Sequence, residues 1–174
     1  SAAQSHRSRV RPCCTPHIWG VEVPHHYSAA RKFDVGEKRV EITKVAVIGG
    51  GTMGSGIAEV CAKSGLDTIV MEPEAAAAEA AQARINGSMD KAVARGRLSE
   101  EDRATTGALL SYTTDINALS DRDLVIEAIV ENEQIKLDLF KRLDEVTPEH
   151  CILASNTSSI PLINLGTATK RPER

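Results

Sequence analysis

From Lys44 onward, short aliphatic runs alternate with longer stretches in which apolar residues recur every three or four positions. The runs KVAVI (44–48), DTIVM (67–71), LVIEAIV (124–130) and CILAS (151–155) are too short for independent helices and rich in Val and Ile, so they predict strands buried on both faces. LLSYTT is a weaker fifth strand candidate, near 110–114. Between the strands the pattern predicts helices over 53–64, 74–95, 99–108 and 133–144. Ser99 stands as an N-cap before a run of acids, and Gly65 and Gly96 stand where helices should stop. In the last helix Ile135, Leu139 and Leu143 repeat at four-residue steps, which predicts one apolar stripe to lay on a sheet. Strand and helix in alternation predict an α/β fold: a doubly wound parallel sheet with right-handed crossovers and helices on both faces. No internal repeat or low-complexity tract interrupts the pattern, the alanine-rich 75–83 being good helix.

At 174 residues the chain has room for one ordinary domain, or for a domain plus a tail. No apolar stretch approaches the ~20 residues that span a bilayer, so no membrane association is expected. Charge divides the chain: residues 1–40 hold seven Lys/Arg against three Asp/Glu, which leaves −7 on the rest. An acidic body argues against nucleic acid as a partner. The basic segment also holds Pro12, Pro16 and Pro24 among scattered Ser and His, so 1–40 reads as an irregular extension and 41–174 as the folded domain. Arg7, Arg9 and Arg11 among serines resemble an organelle transit peptide, but the prolines break the amphipathic helix such a peptide needs, and a cytoplasmic location is expected. Cys13, Cys14, His17, His25 and His26 lie close together; adjacent cysteines turn poorly onto one zinc, so no metal site is expected. Cys61 and Cys151 fall in apolar patterns where free cysteine acts as a small buried hydrophobe, which suits a reducing compartment.

Candidate chemistry begins at KVAVIGGGTMGSGIA. Gly49, Gly51 and Gly54 make GxGxxG directly after one strand and at the start of a helix, and the next strand leads into an acid, Glu72, about twenty residues on. In that context Gly49 permits a tight turn, Gly51 lets a pyrophosphate approach the backbone, and Gly54 allows close packing of the helix. The anion would rest on unpaired amides at the positive helix N-terminus. Glu72 would accept hydrogen bonds from an adenosine ribose diol and repel a 2′-phosphate, which favours NAD over NADP. FAD sites share this fingerprint.

Three segments taken together separate the two cofactors. GGGTMGSGIAEV, VIEAIVENEQIKLDLFKRLD and ILASNTSSIPL resemble the 3-hydroxyacyl-CoA dehydrogenase family, most closely its bacterial short-chain members acting on 3-hydroxybutyryl-CoA. The resemblance runs from about Glu41 to the last residue. It implies a Rossmann-type domain and an NAD-dependent oxidoreductase of fatty-acid metabolism that interconverts 3-hydroxyacyl-CoA and 3-ketoacyl-CoA. By the same resemblance the dinucleotide loop is Gly49, Gly50, Gly51, Thr52, Met53 and Gly54, with Glu72 on the ribose and Glu131 and Lys136 near the cofactor. Asn156 becomes a nicotinamide-side contact, and Ser158 the hydroxyl that meets the cofactor end and the reacting C3 oxygen. Ser88 and Arg95 align with positions that touch coenzyme A, Arg95 standing where a lysine is common. Dehydrogenases of 3-hydroxyisobutyrate or 6-phosphogluconate share a glycine loop but not EAIVEN with ASNTSS.

In this family the base that takes the hydroxyl proton is a histidine oriented by a glutamate. The resemblance places both beyond Arg174, with the last strands, the helical C-terminal domain and the homodimer contacts. The chain is therefore expected to be the NAD-binding portion, inactive or nearly so alone. A non-catalytic NAD-binding module, or one half of a split dehydrogenase, is the alternative. His150, just before CILAS, should lie at the opposite end of the sheet from Ser158.

Overall fold

The computed structural model describes residues 41–174 in full and, before them, only the backbones of four strands: β1 (His17–Ile18), β2 (Val21–Glu22), β3 (Arg31–Val35) and β4 (Lys38–Ile42). β1 pairs with β2 and β3 with β4, both antiparallel, with Phe33 opposite Val40. These ladders correct the expectation of a wholly irregular extension: RKFDV and KRVEI each place apolar residues at alternate positions, as paired strands do. The tail's arginines, cysteines and histidines, with the targeting and metal readings placed on them, lie outside the described side chains. Among the described residues no group of His, Cys, Asp or Glu is placed to hold a metal, and no helix is long and apolar enough to cross a membrane.

β5 (Lys44–Ile48), β6 (Asp67–Met71), β7 (Leu110–Thr113), β8 (Leu124–Glu127) and β9 (Ile152–Ser155) form one parallel sheet in the order β7-β6-β5-β8-β9. The helices are α1 (Thr52–Lys63), α2 (Ala75–Ala94), α3 (Glu100–Ala108), α4 (Glu133–Val146) and a short α5 (Leu162–Thr167). All four predicted helices are present within two residues at each end, and Ser99 does cap α3, accepting from Asp102 N–H at 2.9 Å. The sequence pattern did not show α5 or the 3₁₀ turn Ile116–Leu119, both too short to display a period.

β5 shows why its run is apolar throughout. Val45 and Val47 face one side with Ala58 of α1 and Ala81, Ile85 and Met89 of α2, while Ala46 and Ile48 face the other with Leu119, Val125, Leu143 and Cys151. Cys61 and Cys151 are both free, and burial pushes the Cys151 thiol up to about 11, so it stays protonated as a small apolar group. The strand order runs outward from β5 to β7 on one side and to β9 on the other. That reversal opens a crevice at the carboxyl ends of β5 and β8, where ligands of open parallel sheets bind.

Two expectations need correction. LVIEAIV is strand only as far as Glu127, because the chain then bends past the glycine loop, with Ala128 N–H donating to Ile48 O at 2.8 Å and Val130 left exposed. In α4 the buried positions are Lys136, Phe140 and Leu143, with Leu139 only partly covered and Ile135 half exposed. The helix is turned so that a lysine goes inside, towards the buried carboxylate of Glu127. β9 is the outer strand on its side, and Leu153 N–H donates to the carbonyl of Arg174 at 2.8 Å, so part of that edge is occupied by the last residue of the chain.

Candidate dinucleotide site at the sheet's reversal point

Three of the four glycines of the loop are held by backbone or by a neighbouring helix. Gly49 has φ +95°, and a Cβ on it would come within 2.6 Å of Ala128 O at the end of β8. A Cβ on Gly54 would overlap the carbonyl oxygen of Gly49, and one on Gly50 would strike Ala81 of α2. Gly51 differs, because nothing lies within 4 Å of the position its Cβ would take. It is the N-cap of α1, with no side chain capping the helix and no acid in its first turn. The first amides of α1 are thus left for an outside acceptor at the positive end of the helix dipole, beside the exposed Thr52 and Met53.

Glu72, one residue past β6, turns back onto this loop. Its Oε1 accepts from Gly50 N–H at 2.5 Å, and among the described residues its Oε2 has no hydrogen-bond partner. The carbonyl of Gly50 accepts from Ser55 Oγ at 2.7 Å and from the guanidinium of Arg84 on α2. Sequence reasoning missed both groups. Neither belongs to GxGxxG, and Arg84 meets the loop only because α2 packs across it.

The second half of the site is a chain of charges and hydroxyls. Glu127 ends β8 fully buried; its Oε1 accepts from Ile129 N–H at 2.8 Å and its Oε2 from Ser155 Oγ at 2.5 Å. Lys136 is 1% exposed, its Nζ lying 3.1 Å from Glu127 Oε2 and 2.6 Å from Glu131 Oε2. Glu131 Oε1 accepts from Thr157 Oγ1 and, at 2.7 Å, from Ser159 Oγ. The structure therefore brings Glu131 and Lys136 together, and Lys136 is no solvated helix lysine. Within SNTSS the hydroxyls alternate in their bonding: Ser155 is bonded to buried Glu127, and Thr157 and the exposed Ser159 to exposed Glu131, whereas Asn156 and Ser158 are exposed and, among the described residues, have no side-chain partner. Glu127 carried one signal in the sequence, an acid inside an otherwise aliphatic strand.

These contacts set the charges. Burial presses the Lys136 pKa down, but the hydrogen bonds to Glu131 and Glu127 outweigh it and hold the ammonium above the usual lysine value. Hydrogen bonds from Lys136 first, then from Thr157 and Ser159, bring the Glu131 carboxyl from 4.5 to about 2. At the other end of the sheet, hydrogen bonds from Arg122 and Lys44 bring Asp121 from 3.8 to about 2. Both carboxyls titrate lower in the folded chain than in the unfolded one, so the stability they contribute is present in full above the unfolded values and is lost as pH falls from about 4.5 towards 2. The urea midpoint should fall steadily across that window, and less steeply in Glu131→Gln. Equal slopes in the two proteins would contradict the assignment.

Ser88 and Arg95 lie along α2, in a groove that shares Arg84 with the glycine loop. With Arg84, Lys91, Ala92 and Arg97 they line this groove, of about 380 Å³, along the C-terminal half of α2, where cations also suit the helix dipole. His150 sits at the amino end of β9, its Nε2 3.0 Å from Asp123 Oδ1, remote from Ser158 as expected. Asp123 in turn accepts from the amides of Thr43 and Lys44 and pins the start of β5.

Residues 44–174 match the model of the 3-hydroxyacyl-CoA dehydrogenase NAD-binding domain. The chain belongs to this family. A 3-hydroxybutyryl-CoA dehydrogenase of Mycobacterium tuberculosis is 49% identical over 134 residues, which cover 76% of this chain and 47% of that protein. A probable 3-hydroxybutyryl-CoA dehydrogenase of Deinococcus radiodurans is 45% identical over 129 residues, 74% of this chain and 46% of that one. The crystal structure of FadB2 from M. tuberculosis superposes with a TM-score of 0.74 at 48% identity, covering 75% of this chain and 46% of the other. The chain thus spans about half the length of the family members it matches. Its Rossmann sheet and the glycine loop, EAIVEN and SNTSS segments all fall within the matched region.

Proposed function

We propose that this chain binds NAD and forms the cofactor-binding half of a dehydrogenase that oxidises a 3-hydroxyacyl-CoA, of the 3-hydroxybutyryl type, to the 3-ketoacyl-CoA. The observation that carries the reading is the uncapped, open start of α1 beside an acid with one free oxygen. A pyrophosphate fits against the first-turn amides over Gly51, and Glu72 Oε2 is available to a ribose hydroxyl, where a 2′-phosphate would meet its charge. Bound NAD supplies the hydride acceptor. Exposed Asn156 and Ser158, at the carboxyl end of β9, are the groups for the nicotinamide side and for the substrate's C3 oxygen, to which Ser158 Oγ–H would donate. The cationic groove on α2 suits the phosphates of coenzyme A.

Oxidation of an alcohol also needs a base for its proton. Within residues 41–174 the sole histidine, His150, is engaged with Asp123 at the far end of β9, away from Ser158. The chain by itself is therefore expected to hold the dinucleotide without turning over substrate. The same observation favours the second reading, an NAD-binding module with no reaction of its own, and leaves room for a dehydrogenase completed by a separate polypeptide. Calorimetric titration with NADH and NADPH, followed by an acetoacetyl-CoA reduction assay, tests this. NADH should bind in the micromolar range or more weakly and NADPH more weakly still. Glu72→Ala should lower NADH affinity by about tenfold, the loss of one or two hydrogen bonds to a charged acceptor. Turnover above background by the pure chain would refute the missing base, and equal affinity for both nucleotides would refute the role of Glu72.

A further inference from the structure

The buried carboxylate of Glu127 is the least expected charge in the fold. It lies in the strand register next to Val125 and Ile126, and an aliphatic residue there would cost less to bury. Its side-chain partners are nonetheless all polar, and each belongs to a segment of the site. Ile129 N–H belongs to the bend that passes Gly49, Ser155 opens the SNTSS turn, and Lys136 carries Glu131. The turn is tied on from both ends, since Ser155 Oγ also accepts from Thr157 N–H at 3.2 Å and Glu131 accepts from Thr157 and Ser159. The backbone adds one more tie, Asn156 N–H donating to Glu127 O at 2.9 Å. With the hydroxyls of 155, 157 and 159 engaged in this way, the side chains of 156 and 158 are the ones left without partners, both exposed.

We propose that Glu127 is a positioning residue for the nicotinamide end of the site: through Ser155 and the Lys136–Glu131 pair it fixes the turn that presents Asn156 and Ser158. It touches no ligand itself. The proposal rests on the dinucleotide reading and concerns one end of the ligand only, because the glycine loop and Glu72, which would hold the ADP half, share no hydrogen bond with this network. A residue that merely supports the fold would affect both ends of the cofactor alike. Removing Glu127's charge should affect one.

The experiment compares ADP-ribose with NADH, which differ by the nicotinamide. Wild-type chain should bind NADH more tightly than ADP-ribose. In Glu127→Gln the charge is gone and one of the two acceptor oxygens becomes an NH2, so either Ile129 N–H or the Ser155–Lys136 side loses its acceptor, and the advantage of NADH should disappear, a loss of about tenfold, while ADP-ribose affinity stays within about twofold. The double variant Glu127→Gln with Lys136→Met removes both charges, guarding against misfolding from an uncompensated ammonium, and should show the same selective loss. Ser155→Ala should give a smaller selective loss, and Ser155→Thr, which keeps the hydroxyl, should restore it. Equal loss of both ligands, or loss of neither, in the two Glu127 variants overturns the proposal. A wild-type chain that binds both equally overturns it as well but leaves the dinucleotide reading standing. A wild-type chain that binds neither sinks the dinucleotide reading and the positioning role with it.

Discussion

Gly54→Ala is expected to abolish measurable NADH binding. The new Cβ would overlap the carbonyl oxygen of Gly49 and lie 2.9 Å from its carbonyl carbon. These are backbone atoms in a turn already set at φ +95°, so no side-chain rotation relieves the overlap, and α1 must move off the loop. The amides that would receive the pyrophosphate ride on that helix, and a displacement of even about 1 Å spoils several hydrogen bonds together. We expect more than about a hundredfold loss of affinity, with a stability cost of about 1–3 kcal/mol from overpacking. Gly51→Ala provides the contrast. Its Cβ would point into space free to 4 Å, so the urea midpoint should barely change, yet NADH affinity should fall steeply because that space is where the diphosphate belongs. If Gly51→Ala kept wild-type affinity, the loop would not be the phosphate site.

The second large effect lies at the opposite end of the sheet. Arg171 and Asp144 are each less than a tenth exposed, with Arg171 Nε donating to Asp144 Oδ1 at 2.8 Å. The guanidinium also donates to Thr147 Oγ1 at 2.8 Å, to the carbonyls of Asp144 and Thr147, and to that of Pro148. One planar fork thereby satisfies the carbonyls left over at the C-terminus of α4 and fastens the last residues of the chain across it. Arg171→Ala would leave the buried Asp144 charge without its cation, held only by Lys170 N–H at Oδ2, and several carbonyls unpaired, which costs about 3–5 kcal/mol. Arg171→Lys should recover little, since an ammonium lacks the fork. Urea denaturation measures the loss, and NADH titration of the folded protein should be unchanged. A loss below about 1 kcal/mol would mean that solvent replaces the clamp.

The same contrast between local and distant causes explains what could be read in advance. KVAVI and DTIVM announced themselves because strands buried on both faces need unbroken aliphatic runs. GxGxxG and Glu72 could be located because turn, amide cradle and acid are separated by a fixed length of strand and helix. α4 was read as a helix correctly but with Ile135 inward, since periodicity by itself cannot know that a buried acid on another strand will draw Lys136 inside. The pairing of Glu127 with Ser155, 28 residues apart, leaves no mark on either local pattern.

Apart from α5, the 3₁₀ turn and the early end of β8, which escaped it, the amino-acid order alone located the strands of the parallel sheet and its four longer helices, their alternation, and the glycine loop suited to an anion. These follow from short-range preferences and from burial, which act within a few residues. Only the tertiary structure decided which of the polar groups in SNTSS face outward, that Lys136 is buried between two carboxylates, that Arg84 and Ser55 hold the loop carbonyl, and that Arg171 closes α4. Each of those depends on electrostatic and hydrogen-bond partners set by how the helices and strands pack, on the β5–α1–α2 side for the loop carbonyl and on the β8–β9–α4 side for the rest.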